Sequence, residues 1–372
     1  MNYLRLFLSF IIFYLSFKYR KSLQLLNDNI RINLRYPPPV AKDDLLITRR
    51  IIENYTRANA NNIRDIYKLH PLWYESIYKS RIHYVESLRR GEAYHLSVLL
   101  NSFFRNIGSV GITYRCKPFR VPSKLNYSFV IEIDKMYQKL RSKERNSRIF
   151  FNHLINTNDV GNPYLVRLYG LSLDINTLYY LSHLYEIIQH TEFVKNGEYV
   201  FVDLGPGFRG TMKFLLQLFP NSKVIIFDIP EMLPFSTFFL CKNFANKKIG
   251  LYTDITNLKE DIMNYDILLL PHFMIDEIPS EIADCFVNTA SLPEMKRDLA
   301  LHYLNTIKRA VKHNGIFYSN NNWDNAARSN LKGEHGMKEL FEASSMENNF
   351  DIICNDILEI TQGYRRTILR KR

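Results

Sequence analysis

Cysteine is scarce in this chain of 372 residues. The four cysteines lie far apart, no two of them form a Cys-x-x-Cys pair, and no histidine-rich segment accompanies them. This spacing offers neither a zinc site nor a disulfide framework, so a reducing compartment is the default expectation. No acidic cluster in the sequence demands a metal ion either, and we expect none.

Long apolar runs are also missing after the first twenty residues. Residues 6–17 form an uncharged stretch, LFLSFIIFYLSF, followed by Lys18, Arg20 and Lys21. As a helix it would span about 18 Å, short of the roughly 30 Å hydrocarbon core. A signal peptide would need a small-residue cleavage site, yet the first alanine is Ala41. We expect this helix to rest on the inner membrane leaflet, and the alternative is an apolar helix packed on the rest of the protein.

The composition is otherwise that of a globular protein, with 46% hydrophobic and 23% charged residues, which excludes disorder and collagen. The net charge is +12, and a balance this basic favours an anionic neighbour such as a membrane surface, an acidic glycan or nucleic acid. No recognition helix or RNA-binding aromatic signature is apparent, so nucleic acid is not expected.

The pattern of apolar residues divides the chain into three parts. Residues 1–42 are the apolar helix and a Pro-rich linker, and residues 43–190 are mainly helical, with Asp174 as the N-cap of their last helix. In residues 191–372, short apolar runs alternate with helical stretches, which predicts a doubly wound α/β sheet ending in an antiparallel hairpin. The dipeptide Asn314-Gly315 is a candidate C-cap for the helix over residues 297–311.

The sharpest motif, VDLGPGFRG, lies between the first strand and the first helix of the α/β part. Ligands of such sheets bind there, and glycines such as Gly205 and Gly207 let the backbone approach a ligand closely. The spacing fits a dinucleotide fingerprint, but Asp203 puts a carboxylate where a pyrophosphate is unwelcome and an ammonium is favoured. Pro206 also removes one N–H that could bind phosphate.

A second carboxylate, Asp228, ends the next predicted strand and could accept both ribose hydroxyls of an adenosine. Asp203 and Asp228 together suit S-adenosylmethionine, because one would hold its amino-acid end and the other its ribose. The alternative for each is a polar strand-end residue that caps a neighbouring helix.

The stretch VDLGPGFRGTMKFLLQLFPNSKVIIFDIPEM resembles the cofactor-binding half of class I methyltransferases. More narrowly, the chain from about residue 161 onward is similar to the sugar O-methyltransferase family. The matching blocks are Asp228-Ile-Pro-Glu231, residues 288–295 (NTASLPEM) and Gly161-Asn162-Pro163. Pro206 is uncommon in that glycine loop, and residues 1–150 have no match. The resemblance implies S-adenosylmethionine as cofactor and a sugar or glycan acceptor.

The block over residues 288–294 follows a predicted strand and would face the transferable methyl group. A sugar hydroxyl is a poor nucleophile, so a nearby base is expected, with Glu294 as first candidate and His272 as second. The alternatives are a helix-favouring carboxylate for Glu294 and a backbone hydrogen bond for His272. Asn288 and Thr289 are expected to line the cofactor or the acceptor. Residues 320–324 could bind sugar hydroxyls, with Trp323 as a stacking face, or form a surface loop.

The sequence therefore predicts an S-adenosylmethionine-dependent O-methyltransferase that acts on a sugar hydroxyl of a glycan or glycan precursor. Two rival hypotheses remain open: an NAD(P)-dependent oxidoreductase, and a non-catalytic, membrane-tethered protein that retains the fold. Because S-adenosylmethionine is a cytosolic metabolite, we expect the α/β part in the cytoplasm and the protein peripheral to the membrane.

Overall fold

The computed structural model describes residues 38–61, 63–69, 71–105, 127–144, 154–155, 160–208, 210–324, 335–357 and 364–372. The predicted apolar helix over residues 6–17 lies outside these residues. Among the helices within them, none is long and apolar enough to cross a membrane.

The N-terminal part of the described chain is mainly helical, as predicted. Its helices are α1 (Lys42–Ala60), α2 (Pro71–Ser80), α3 (Ile82–Arg90), α4 (Ala93–Leu100), α5 (Tyr127–Glu144) and α6 (Ile175–Gln189). Helix α3 ends at Gly91, whose φ of 71° provides the left-handed cap that a side chain would strain. Helix α6 begins at Asp174, which accepts the Thr177 N–H at 2.9 Å, so the predicted N-cap is confirmed.

A short hairpin interrupts this helical part and was not predicted. Strands β1 (Val166–Leu168) and β2 (Leu171–Leu173) pair antiparallel across Tyr169-Gly170. Both turn residues have positive φ, 54° and 75°, as a two-residue turn of this kind requires. Tyrosine is an unusual occupant of that conformation, so the dipeptide gives no turn signal of the Asn-Gly type.

The C-terminal part is the predicted doubly wound sheet. Its strands are β3 (Val200–Leu204), β4 (Lys223–Asp228), β5 (Ile249–Leu251), β6 (Ile267–Pro271), β7 (Ala283–Thr289), β8 (Val311–Asn321), β9 (Phe350–Ile357) and β10 (Arg365–Lys371). They lie in the order β5-β6-β4-β3-β7-β8-β10-β9. Pairing from β5 through β8 is parallel, and β10 runs antiparallel to both β8 and β9. The predicted terminal hairpin is therefore confirmed, and β5 was not predicted.

Within the part of the chain that the structure describes, five further α-helices connect these strands. They are α7 (Gly210–Leu218), α8 (Leu233–Asn243), α9 (Leu258–Asp261), α10 (Arg297–Ala310) and α11 (Met337–Ser344). The sheet is buried on both faces, as its near-continuous apolar strands indicate. One face packs against α6, α7 and α8 together with the earlier helices, and the other packs against α9, α10 and α11.

The predicted C-cap at Asn314-Gly315 is wrong. Helix α10 ends earlier, at Ala310, and Val311 already begins β8. Asn314, with a φ of 62°, instead forms an irregularity within that strand, where the register with β7 shifts between Ala283 and Cys285. A residue that tolerates positive φ serves a strand bulge as well as a helix end, and the sequence signal is the same.

The protein is thus a mixed α/β chain in which a helical region precedes a Rossmann-like, mostly parallel sheet with a terminal antiparallel hairpin. Strands β3 and β7 are neighbours at the middle of this sheet. From β3 the chain passes to β4 on one side, and it later crosses to β7 on the other side. In open α/β sheets, ligands bind at the carboxyl ends of the strands where the order reverses in this way.

Candidate functional site

The loop that leaves β3 has a backbone that only glycine accommodates well. Gly205 and Gly207 have φ values of 61° and 72°. The Gly205 N–H donates to the carbonyl of Phe227 at 2.8 Å, which ties the loop to β4. A Cβ atom at position 205 would lie 2.7 Å from Ser291 Oγ. Gly205 is therefore required both by its backbone conformation and by the close approach of the segment after β7.

The two predicted cofactor carboxylates lie close together at this edge. Asp203 and Asp228 are 3% and 6% exposed, and Asp203 is in register with Ile226 on the neighbouring strand. Asp228 is two residues further along, so the two Cα atoms are roughly 8 Å apart. Asp228 accepts the N–H of Ile229 at 2.8 Å through Oδ1, so it also fixes the start of its own loop.

A buried arginine from the helical region lies near Asp228. Arg81, between α2 and α3, is 1% exposed. Burial lowers the pKa of Arg81 to about 10, and the nearby charges of Tyr84 and Asp228 act in the opposite direction. The helical region therefore contributes a positive charge to the Asp228 end of the site. No local pattern predicts this contribution, because Arg81 precedes Asp228 by more than a hundred residues.

Asn288 lies at the centre of a buried hydrogen-bond network. Its side-chain amide donates to the Leu204 carbonyl at 2.8 Å and to Ser291 Oγ at 2.6 Å. Asn321 donates to Asn288 Oδ1 at 3.0 Å and to Ser319 Oγ at 2.8 Å, and it accepts the Ser291 N–H at 3.0 Å. Both asparagines are fully buried. This network joins the end of β3 to the segment after β7.

The geometry gives Asn288 a supporting role, since its amide is used on protein groups. Thr289, the last residue of β7, is half-buried and in register with Asn320. The next residue, Ala290, has a φ of 51°, and its N–H donates to the Asn320 carbonyl at 3.0 Å. That strained turn directs the chain toward the glycine loop. A role for Asn288 or Thr289 in binding a ligand directly stays a prediction.

Glu294 ends the short 3₁₀ helix Leu292–Glu294 that follows this turn. The neighbouring Met295 is close enough to the glycine loop that a Cβ at Gly205 would lie 3.5 Å from its Cε. Burial raises the pKa of Glu294 to about 8. Burial also raises the pKa of Tyr364 to about 12, and the charge of Glu294 adds to that effect, so the two side chains lie near each other.

His272, the second candidate base, is 4% exposed and follows β6 directly. Its Nε2 lies 3.0 Å from the carbonyl of Tyr67, so Nε2 carries the proton and donates it there. Its ring also meets the Tyr67 ring edge-on, with centroids 5.4 Å apart. Burial lowers the pKa of His272 to about 4, so the ring is neutral at pH 7. Among the described residues its Nδ1 has no hydrogen-bond partner.

The predicted 320–324 segment begins inside β8 and is packed more tightly than a surface loop. Asn320 and Asn321 are fully buried, within β8. The ring of Trp323 packs edge-on against Phe341 with centroids 6.0 Å apart, and the Arg365 guanidinium lies 5.3 Å above the Trp323 ring. One aromatic face of Trp323 is therefore occupied by Arg365, which leaves less of the ring for a sugar to stack on.

The structure thus brings Asp203, Gly205, Asp228 and the 288–294 segment to one edge of the sheet, and His272 lies one strand further out. Sequence reasoning assigned no role to Ser291 or Arg81, and it placed Asn321 in a possible sugar-binding segment rather than in this network. Ser291 had a signal, since it stands inside the NTASLPEM block, whereas Arg81 had none. Among the described residues, no three His, Cys, Asp or Glu side chains form a group that could hold a metal ion.

No protein-family model matches the chain, and no curated protein matches it. Among solved structures, it is similar to geranyl diphosphate C-methyltransferase from Streptomyces coelicolor A3(2), with 10% identity over 52% of this chain and 76% of that chain and a TM-score of 0.37. It is also similar to the pyocyanin biosynthetic protein PhzM, with 13% identity over 89% of this chain and 96% of that chain and a TM-score of 0.36. A third similar structure is an S-adenosylmethionine-dependent methyltransferase from Aquifex aeolicus, with 13% identity over 51% of this chain and 89% of that chain and a TM-score of 0.36. Nothing about the substrate of this chain follows from similarity at this level.

Proposed function

We propose that this protein is an S-adenosylmethionine-dependent O-methyltransferase that acts on a sugar hydroxyl of a glycan or glycan precursor. The main support is the pair of buried carboxylates, Asp203 and Asp228, on adjacent strand ends beside the glycine loop. The sugar acceptor rests on the NTASLPEM block and its resemblance to sugar O-methyltransferases.

The residues at this edge fit the proposed cofactor. Gly205 and Gly207 open the loop backbone, and a side chain at position 205 would collide with Ser291. Asp203 would accept hydrogen bonds from the ammonium of the methionine moiety, and Asp228 would accept hydrogen bonds from the ribose hydroxyls. When bound, the cofactor supplies an electrophilic methyl group. Hydride transfer from a nicotinamide cofactor is less well supported, because Asp203 would face the pyrophosphate.

Glu294 is the proposed general base. A base is most effective when its pKa lies near the working pH, and the pKa of about 8 for Glu294 meets that condition better than the value of about 4 for His272. The segment that carries Glu294 is held against the glycine loop by Ser291 and Met295. That arrangement would hold the acceptor hydroxyl close to the methyl donor, and positioning supplies much of the rate in such displacements.

The proposal is tested by calorimetry with S-adenosylhomocysteine and by transfer of labelled methyl groups to sugar acceptors. We expect wild type to bind S-adenosylhomocysteine, and Asp203→Asn to weaken that binding at least tenfold, since a charge-assisted hydrogen bond is lost. Asp351→Asn is the matched control, because Asp351 is exposed and, within the described residues, its carboxylate pairs with Arg372 alone, at 2.7 Å.

Two results would contradict the proposal. Wild type that binds NADH but not S-adenosylhomocysteine would favour the oxidoreductase, and a folded protein that binds neither would favour the non-catalytic hypothesis. The acceptor is identified by mass spectrometry of cell glycans with and without the protein, where loss of one methyl group marks the modified sugar.

We further propose that the protein works in the cytoplasm, peripheral to the inner leaflet, through its apolar N-terminal stretch and the basic residues Lys18, Arg20 and Lys21. Fractionation of the full chain against a chain that begins at Tyr36 tests this. Equal distribution of both to the soluble fraction would contradict it.

A further inference from the structure

A lysine is buried beside the glycine loop. Lys213, in the first turn of α7, is only 5% exposed. Its charged side chain is thus buried on a helix whose other side chains are mostly apolar. It borders a cavity that also touches Phe208 and Gly210, the residues that follow the loop. Both aromatic and polar side chains line the cavity. The aromatic ones are Phe104, Tyr180, Phe208, Phe214 and Phe239, and the polar ones besides Lys213 are Asp174, Asn176 and Thr177.

The Lys213 ammonium lacks a hydrogen-bond acceptor among the described residues. Its Nζ lies 5.1 Å from the Phe214 ring centroid and 5.8 Å from that of Phe239. The carboxylate at the cavity wall, Asp174, caps α6 by accepting the Thr177 N–H at 2.9 Å, and it forms no ion pair with Lys213. Aromatic faces alone offset only part of the cost of removing an ammonium from water.

The cost of burying the Lys213 ammonium affects its ionisation. Burial lowers the pKa of Lys213 to about 8, and Asp174 opposes that shift. Burial in turn raises the pKa of Asp174, against its hydrogen bonds from Thr177 and the charge of Lys213. An anion that entered the cavity would satisfy the three N–H donors of Lys213 and stabilise its charged form.

The size and charge of the cavity restrict the anion. The cavity is small, so only a compact terminal group can enter. A single ammonium faced by the Asp174 carboxylate suits a monoanion better than a phosphate dianion.

We propose that the Lys213 cavity binds a carboxylate group through the Lys213 ammonium. This rests on the proposed function only for the origin of that carboxylate, which is either the methionine end of the cofactor or an acidic sugar acceptor such as a hexuronate. Both sources are compatible with the position of the cavity, because Phe208 and Gly210 join it directly to the proposed cofactor loop.

The cofactor source is tested by calorimetry on the full chain with two probes. S-adenosylhomocysteine carries the amino-acid carboxylate and ammonium, and 5′-methylthioadenosine is the same nucleoside with a methyl group in place of that amino-acid chain. For the cofactor source, Lys213→Met weakens binding of S-adenosylhomocysteine at least tenfold and changes binding of 5′-methylthioadenosine less than twofold. Lys213→Arg retains part of the preference for S-adenosylhomocysteine over 5′-methylthioadenosine. Lys259→Met, at an exposed lysine of α9, retains all of that preference.

The acceptor source is tested by thermal shift with glucuronate against glucose, and the site itself by acetate against acetamide, all at constant ionic strength. Glucuronate and acetate should stabilise wild type more than their neutral counterparts, and Lys213→Met should abolish the difference. These wild-type comparisons test carboxylate binding even if Lys213→Met does not fold. They also test it if no nucleoside binds, so a failure of the proposed function can be distinguished from a failure of this inference. The inference is overturned if wild type distinguishes no carboxylate from its neutral counterpart and Lys213→Met binds both nucleosides as wild type does.

Discussion

Two segments meet at the centre of the candidate site, and they obtain their shapes in different ways. The loop after β3 is shaped by its backbone, with positive φ at Gly205 and Gly207. The segment after β7 is shaped by side-chain hydrogen bonds from Asn288 and Asn321. The Leu204 carbonyl belongs to the first segment and accepts the Asn288 amide of the second, so each holds the other in place.

This difference determines how each segment responds to substitution. In the glycine loop, an added methyl group is harmful because space and conformation forbid it. In the segment after β7, a removed group is harmful because it leaves buried polar atoms without partners. The chemistry proposed for the site belongs to the second segment, since Glu294 stands at its end.

The largest effect is expected at Glu294. Glu294→Gln should lower the rate of methyl transfer by about 10²–10⁴-fold, the usual contribution of a general base, with little change in S-adenosylhomocysteine binding. In wild type the rate should rise with pH and level off above about 8, because the raised pKa keeps the Glu294 carboxyl protonated below that value. Steady-state rates from pH 6 to 9.5 measure this.

His272→Gln is the comparison for that experiment. A pH profile that keeps its midpoint near 8 in His272→Gln and loses it in Glu294→Gln agrees with the proposed base. If Glu294→Gln retains both the wild-type rate and the wild-type profile, Glu294 is only a structural carboxyl group.

The next effect is expected at Gly205, with Gly91 as a matched control. Both residues have positive φ, 61° and 71°, but a Cβ at Gly91 would meet nothing within 4 Å, whereas at Gly205 it would lie 2.7 Å from Ser291 Oγ. Gly91→Ala should cost about 1 kcal/mol of unfolding free energy from backbone strain alone. Gly205→Ala should cost about 3 kcal/mol and weaken S-adenosylhomocysteine binding, as followed by urea unfolding and calorimetry.

Equal losses in the two variants would mean that the Ser291 contact is easily relieved. The double variant Gly205→Ala with Ser291→Gly sharpens the comparison, because it removes Ser291 Oγ and Cβ, the two atoms nearest to a Cβ at position 205. Recovery of part of the lost stability in the double variant is the expected result.

The contrast between the two segments also explains what the sequence could predict. The glycine loop and Asp228 lie within one stretch of about thirty residues, so strand, turn and carboxylates were visible together. The doubly wound sheet and the N-cap at Asp174 followed from equally local patterns, and both are confirmed. The division of the chain at residue 190 stays a prediction.

What escaped prediction depends on contacts between distant residues. Asn321 supports Ser291 from another strand, and Arg81 approaches Asp228 from the helical region. Neither pairing has a signal in spacing, because each is fixed by the fold rather than by neighbours in the chain. Asn314-Gly315 shows the converse. Its local pattern predicts a helix C-cap, but in the structure it lies at the irregularity in β8 where the register with β7 shifts.

A smaller loss is expected at Asn321. Asn321→Ala removes the acceptor of the Ser291 N–H and the donor to Asn288 Oδ1, and both atoms are buried. We expect a loss of about 2 kcal/mol in unfolding free energy, and weaker S-adenosylhomocysteine binding because the glycine loop loses its support. Asn348→Ala, at an exposed asparagine, should change neither quantity. Loss of stability without any change in binding would separate this network from the site.

The smallest effect on stability is expected at His272, which follows β6. The pKa of His272 is lowered to about 4 in the folded protein and lies near 6.5 in the unfolded chain, so only the unfolded chain gains a proton as the pH falls below 7. Its contribution is therefore present above pH 6.5 and is lost toward pH 4, which amounts to about 1 kcal/mol between pH 7 and 5.5. His183, with a pKa lowered to about 3 by burial, adds a loss of the same sign in wild type and variant alike.

Urea unfolding of wild type and His272→Gln at both pH values measures the difference, and Gln can still donate to the Tyr67 carbonyl. We expect the loss of stability on acidification to be about 1 kcal/mol smaller in His272→Gln. An equal loss in both proteins would mean that His272 is protonated in the folded state, and it would then return as a candidate base beside Glu294.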